Sequence, residues 1–109
     1  VGDTGLPGAG TWAADAIAVS ATGDGEAIIR AMLAREVAER TRAGVALDDA
    51  VAHGLALVAR FGGQGGLIAV DATGRFAVAA NAPTMAWAQA RVGVEAIDAA
   101  IAPRSGAVV

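Results

Sequence analysis

With 109 residues the chain is long enough for one small domain, and without cysteine it has no disulfide framework, thiolate nucleophile or Cys-based metal site. A net charge of −3, an isoelectric point near 4.9 and eight scattered arginines with no lysine argue against a nucleic-acid partner. Hydrophobic residues make up 55% and charged residues 17% of the chain, against about 25% charged in an average domain, so sizeable faces are expected to pack against other polypeptide.

A membrane span does not account for this apolarity. Asp, Arg, Gln or Gly interrupts every apolar run well short of the roughly 20 residues a span needs. No signal or transit pattern opens the chain, and the expected location is the cytoplasm.

In chain order, residues 2–10 read as a glycine-rich loop containing Pro7. Residues 9–13 and 16–21 read as two strands around a turn at Ala14-Asp15. After the turn residues Thr22-Gly23-Asp24-Gly25 the apolar spacing switches to Ile28, Ile29, Met32, Leu33 and Val37, one face of a helix. That helix is expected from about Gly25 to Arg42, with Gly44 as its C-terminal cap. A second helix starts at Asp48 or Asp49, turns Val51, Leu55 and Val58 inward, and ends before Gly62-Gly63. Residues 67–71 are a buried strand, Asp71-Ala72-Thr73-Gly74 a turn, and residues 75–81 the returning strand of a hairpin. Beyond Pro83, residues 85–102 are expected to be helical and the alanine-rich tail after Pro103 irregular.

The pattern predicts one domain over residues 1–109, with residues 86–109 as a tail of no assigned role. Its fold class is α/β in the α+β sense: two helices over one face of an antiparallel sheet. The other face then needs a cover, expected from a second sheet in a layered sandwich.

The strand–loop–helix at residues 16–31 carries the chemistry. A glycine loop at a helix start aims backbone N–H groups and the positive end of the helix dipole at whatever lies in front of it. Gly23-x-Gly25 lacks the third glycine of a dinucleotide fingerprint, and Asp24 and Glu26 would repel a phosphate. A transient oxyanion, held by the Thr22 hydroxyl and the Gly23 N–H, is the sharper reading; a plain connection capped by Thr22 or Asp24 is the bland one. His53, the single histidine, reads as an ordinary helix side chain, and one histidine without ligand-spaced partners makes no zinc site. No metal site and no cofactor are expected.

Several blocks taken together resemble one family. They are Val1-Gly2-Asp3-Thr4, Pro7-Gly8-Ala9-Gly10-Thr11-Trp12, Ala18-Val19-Ser20-Ala21-Thr22-Gly23-Asp24-Gly25-Glu26 with Ile29-Arg30, Gly62-Gly63-Gln64-Gly65-Gly66 with Ile68-Ala69-Val70-Asp71, and Asn81 with Met85. In order and spacing they resemble the β subunit of the threonine-type N-terminal nucleophile hydrolases, in the isoaspartyl peptidase/L-asparaginase branch (the plant-type asparaginases). The likeness spans about residues 1–85, and the region after Trp87 departs from it.

The resemblance implies a four-layer αββα sandwich, an autocleavage that produces α and β subunits, and an (αβ)2 assembly with a small aspartyl or asparagine substrate. It implies a nucleophilic threonine at the new β N-terminus whose own α-amino group is the base. The segment bearing that threonine, a second catalytic threonine and a carboxylate-binding arginine would precede Val1. None of Thr4, Thr11, Thr22, Thr41, Thr73 or Thr84 is N-terminal. Carried over residue by residue, Thr22 and the Gly23 N–H form the oxyanion hole, while Asp3 and the Gly25 carbonyl hold the substrate's α-ammonium group. The expected activity is hydrolysis of β-aspartyl (isoaspartyl) peptides or L-asparagine, with the chain inactive by itself. A glycosylasparaginase and a non-catalytic interaction module are the alternatives.

Overall fold

The structure, a computed structural model, describes residues 5–82, 84–93, 98–100 and 104–107. Strands β1 (Thr11–Ala14) and β2 (Ile17–Gly23) lead into helices α1 (Gly25–Ala31), α2 (Leu33–Arg42) and α3 (Leu47–Arg60). Strands β3 (Gly65–Asp71), β4 (Arg75–Ala80), β5 (Trp87–Gln89), β6 (Asp98–Ala100) and β7 (Arg104–Ala107) follow. Five of them form one antiparallel sheet in the order β1-β2-β3-β4-β7, and β5 pairs with β6 separately.

Side chains alternate across a strand, and in β2 the alternation is clean: Ile17, Val19 and Ala21 are buried while Ala18, Ser20 and Thr22 are exposed. The buried set meets Leu67 and Ala69 of β3 and Ala77 of β4, and the helices lie on this face through Ile28, Leu33, Val37, Val51 and Val58. Register carries the other set across the sheet, with Ser20 opposite Ile68, Thr22 opposite Gly66, and Gly66 opposite Ala80. This second face is partly open. Ile68 and Val70 are 46% and 43% exposed, whereas Phe76 and Val78 are covered by Trp87, its ring 6.1 Å from that of Phe76. Between the bare strands and β5 runs an apolar groove of about 500 Å³.

The expected single helix over residues 25–42 is broken in two. Met32 adopts the left-handed conformation at φ +48° and ends α1, and α2 begins at Leu33. A left-handed non-glycine residue costs about 1–2 kcal/mol. Full burial of Leu33, worth about 1.5–3 kcal/mol, offsets that cost. The break also frees the first α2 amides to dock: Ala34 and Arg35 donate to the Ala9 and Gly8 carbonyls at 2.9 and 3.0 Å. It shifts the helical phase too, so Ile29 and Met32 lie about two-fifths exposed instead of facing the core.

The tail differs from expectation as well. Within the stretch read as helical, the described residues form β5 and β6, and the segment read as irregular supplies β7, pairing Arg75–Val78 with residues 104–107. These strands of three or four residues are too short to show a period, and β7 pairs with β4, far off in sequence, so local periodicity carries no sign of them. The first hairpin turns one residue later than expected, at Asp15-Ala16. Among the described residues no helix is long and apolar enough to cross a membrane.

Candidate active site

The β2–α1 connection comes to lie beside the loop that leads into β3. Strand β2 stays in register to its last residue, pairing Thr22 with Gly66 and Gly23 with Gly65. The Gly65 N–H donates to Asn81 Oδ1 at 2.6 Å, and its carbonyl accepts from the Asn81 N–H at 3.0 Å. Both polar groups of Gly65 are therefore turned toward β4, which makes Gly23 and Gly65 a pair without mutual hydrogen bonds. The Gly23 N–H consequently lies on the other side of β2, in line with the Ala21 N–H that donates to Gly10 at 2.8 Å.

Only glycine fits at position 23. Its φ is +134°, and an added Cβ would press on the Gln64 carbonyl and lie 2.6 Å from the Gly65 Cα. The close approach opens a cleft of about 210 Å³ at the end of the sheet's open face. Thr22, Gly23 and Asp24 form one wall, Gln64, Gly65 and Gly66 the floor, and Thr84 and Met85 the far wall.

The Thr22 side chain is exposed there, and its hydroxyl makes no hydrogen bond among the described residues. Thr22 does not cap the helix. The N-cap position belongs to Asp24, and no side chain bonds to the first α1 amides. The Asp24 carboxylate instead accepts from the Gln64 N–H at 2.7 Å, while the Asp24 N–H donates to the Gln64 carbonyl at 2.8 Å. A hydroxyl donor at the cleft and the next residue's backbone N–H on the outer side of β2, neither with a partner among the described residues, are two adjacent donors able to receive developing negative charge.

Of the four residues singled out from sequence, Thr22 and Gly23 share this cleft. Gly25 opens α1 and lines a different depression with Glu26, Arg30, Phe61 and Gly62, on the helix side of the loop. As first residue of α1 its carbonyl points along the helix. Asp24 touches both depressions. Asp3 lies outside the described residues.

His53 sits on α3, half-buried, with Nε2 3.4 Å from Glu36 Oε1. The same carboxylate oxygen accepts from Arg40 Nε at 2.7 Å, so His53 belongs to a surface cluster between α2 and α3 and does not line the cleft. Among the described residues no group of three His, Asp or Glu side chains could hold a metal ion.

Gln64, Asn81, Thr84 and Met85 carry no assigned role in the sequence reading, yet they build or brace the cleft. The signal that could have found them is the paired glycines around Gln64. Flat backbone on both sides of one residue marks a place where another strand approaches closely.

The pattern of a family described as asparaginase matches residues 1–97 of the chain. A plant-type L-asparaginase of Pyrobaculum calidifontis is 47% identical over 92 residues, 79% of this chain and 30% of that protein. A plant-type L-asparaginase of Pyrococcus horikoshii is 35% identical over 103 residues, covering 93% of this chain and 34% of that protein. An isoaspartyl peptidase of Salmonella typhimurium is 42% identical over 95 residues, 83% of this chain and 30% of that protein. The chain thus spans about a third of the length of the curated relatives it matches.

Proposed function

The chain belongs to the asparaginase family, and from that we propose that it is part of an amidohydrolase that cleaves β-aspartyl peptides or L-asparagine, contributing the oxyanion half of the active site. One observation carries the reading: among the described residues the Thr22 hydroxyl has no hydrogen-bond partner, and it lines a cleft one residue from a glycine whose N–H faces away from its strand partner.

In this reading an N-terminal threonine, supplied by a segment ahead of Val1, attacks the carbonyl carbon of the substrate amide. Its hydroxyl proton passes to its own α-amino group as the C–O bond forms. The carbonyl oxygen takes up the negative charge and receives hydrogen bonds from the Thr22 hydroxyl and the Gly23 N–H. These bonds strengthen only as the charge develops, so they lower the barrier without tightening the ground state. Collapse of the intermediate breaks the C–N bond, and the amine or ammonia leaves with the proton held by the α-amino group. Water then hydrolyses the ester. In this reading Asp3 holds the substrate's α-ammonium group, and Gly25, expected to share it, lines the neighbouring depression on the helix side of the loop.

The same reading places the open face of the sheet, with Ile68 and Val70 uncovered, against a second sheet in an αββα sandwich. That sheet and its helices come from the remainder of the protein, in an (αβ)2 assembly. The location we propose is the cytoplasm. The test is Thr22→Val in the protein carrying the nucleophile segment. Turnover should fall by roughly 10²–10³-fold with KM little changed, and a normal kcat would overturn the assignment.

A further inference from the structure

The floor of the cleft is held from two sides by side chains that themselves stand outside the strands. On one side β4 ends at Ala80, and Asn81 extends the ladder. Its backbone N–H donates to the Gly65 carbonyl at 3.0 Å, its Oδ1 accepts from the Gly65 N–H at 2.6 Å, and its Nδ2 donates to the Gly63 carbonyl at 3.3 Å. On the other side Asp24 takes both backbone groups of Gln64, one with its own N–H and one with its carboxylate. Every backbone hydrogen bond described for Gln64 and Gly65 outside the strand ladder thus goes to one of these two residues.

The consequence reaches Gly23. Its Cα packs on the Gln64 carbonyl and the Gly65 Cα with no room for a methyl group. Gly23 and Gly65 share no hydrogen bond, so Gly23 is placed by this contact and by the pairs on either side of it, Thr22 with Gly66 and Asp24 with Gln64. Wherever the floor moves, the Gly23 N–H and the adjoining Thr22 hydroxyl move with it. We infer that Asn81 and Asp24 are positioning residues, which clamp the Gly63–Gly65 backbone and so set the direction of the two oxyanion donors. The inference rests on the oxyanion role proposed above for Thr22 and Gly23.

A clamp of this kind acts on the transition state more than on substrate binding, because donors aimed slightly wrong still leave room for the ground-state carbonyl. It differs from ordinary bracing in a second way. Both side chains are exposed, and the Asp24–Gln64 and Asn81–Gly63 hydrogen bonds lie in the open, where such bonds contribute modestly to stability, while the Asn81–Gly65 bond is part-buried. Misplacement of a reacting group by about an ångström costs up to about 10²-fold in rate.

The experiment uses the protein that carries the nucleophile segment and measures kcat, KM and melting temperature for Asn81→Ala, Asp24→Ala, Asp24→Asn, Thr22→Val and the double variant Asn81→Ala/Thr22→Val. The expected result is a kcat about 10- to 100-fold lower for each alanine variant, with KM changed by less than about threefold. Asp24→Asn keeps an oxygen for the Gln64 N–H and should recover most of the turnover that Asp24→Ala loses. The double variant should lose less than the product of the two single losses, because one defect already spoils the site the other acts on. If Thr22→Val lowers kcat while both alanine variants lose only melting temperature, the clamp is overturned and the oxyanion role stands. Independent, multiplying losses in the double variant also overturn the clamp. Normal turnover in Thr22→Val overturns both.

Discussion

Gly23 and Gly65 face each other across β2 and β3 so closely that a methyl group on Gly23 would stand 2.6 Å from the Gly65 Cα. Substitution to alanine meets two obstacles, a φ of +134° that side chains rarely adopt and the Gln64 and Gly65 backbone. Backbone strain of this kind costs of order 1–3 kcal/mol, and relief of the clash must push the start of β3 away from β2. Gly23→Ala should therefore lower the melting temperature by several degrees and, if the N–H it displaces is the oxyanion donor proposed above, reduce turnover at least about tenfold. Thermal melts and initial rates on one preparation check it.

Gly54 of α3 faces the α2 side chains, where an added Cβ would meet Leu33 Cδ1 at 2.7 Å and Val37 Cγ2 at 2.9 Å. In an open helix, replacing glycine by alanine gains about 1 kcal/mol. Here the new methyl overpacks two residues that are themselves fully buried, a cost of about 1–3 kcal/mol. Gly54→Ala should come out destabilising or neutral in urea unfolding. The full helix-propensity gain would show that α2 and α3 have room to separate.

Asp71 organises the β3–β4 turn, its Oδ1 accepting from the Thr73 hydroxyl at 2.6 Å and from the Thr73 and Arg75 N–H groups at 2.9 and 3.1 Å. The Thr73 hydroxyl is the main cause holding the carboxyl below its ordinary value of 3.8; burial opposes it as the next largest effect, and both backbone donors and the Arg75 charge reinforce it. A folded pKa below the unfolded one contributes stability above the unfolded value, and the contribution disappears as pH falls through the folded value. Thr73→Val should raise the Asp71 pKa toward 3.8 in an NMR titration. It should also destabilise the fold at pH 7 more than at pH 2. Equal destabilisation at both would show that the hydroxyl acts by packing alone.

Ile68 and Val70 present about half of their surface on the uncovered sheet face. If the remainder of the protein packs there, the 109-residue chain alone should show no asparaginase activity and should self-associate or bind the dye ANS. Ile68→Ser/Val70→Ser should reduce that association in the isolated chain while weakening assembly of the complete protein. Light scattering and dye fluorescence measure the first effect. A dye-negative monomer of the unsubstituted chain would sink the covering role.

The strand–loop–helix from Ile17 to Ala31 was legible because apolar spacing changes period at Gly23-Asp24, and no later contact is needed to see it. The helix break was not. Met32 is a good helix former, and nothing local stops the helix there; the carbonyls of Gly8 and Ala9, brought close by the β1–β2 hairpin, capture the α2 amides and dictate the kink. The tail was illegible for a related reason. A three- or four-residue strand such as β7 exists only because β4 offers an unpaired edge some 26 positions earlier, at Val78 opposite Arg104.

The site divides in the same way. Residue type and order along the chain sufficed to mark Thr22 and Gly23, since a hydroxyl and a glycine at a strand-to-helix junction are local facts. That the Thr22 hydroxyl has no partner among the described residues, with Asp24 at the cap position and bonded to Gln64, follows only from β2 lying in register with β3. Asn81 completes the floor from the far end of a hairpin for the same reason. Periodicity and turn chemistry act within a few residues, whereas the direction of a hydrogen-bond donor is set by whichever backbone is pressed against it, and that is decided by the packed sheet.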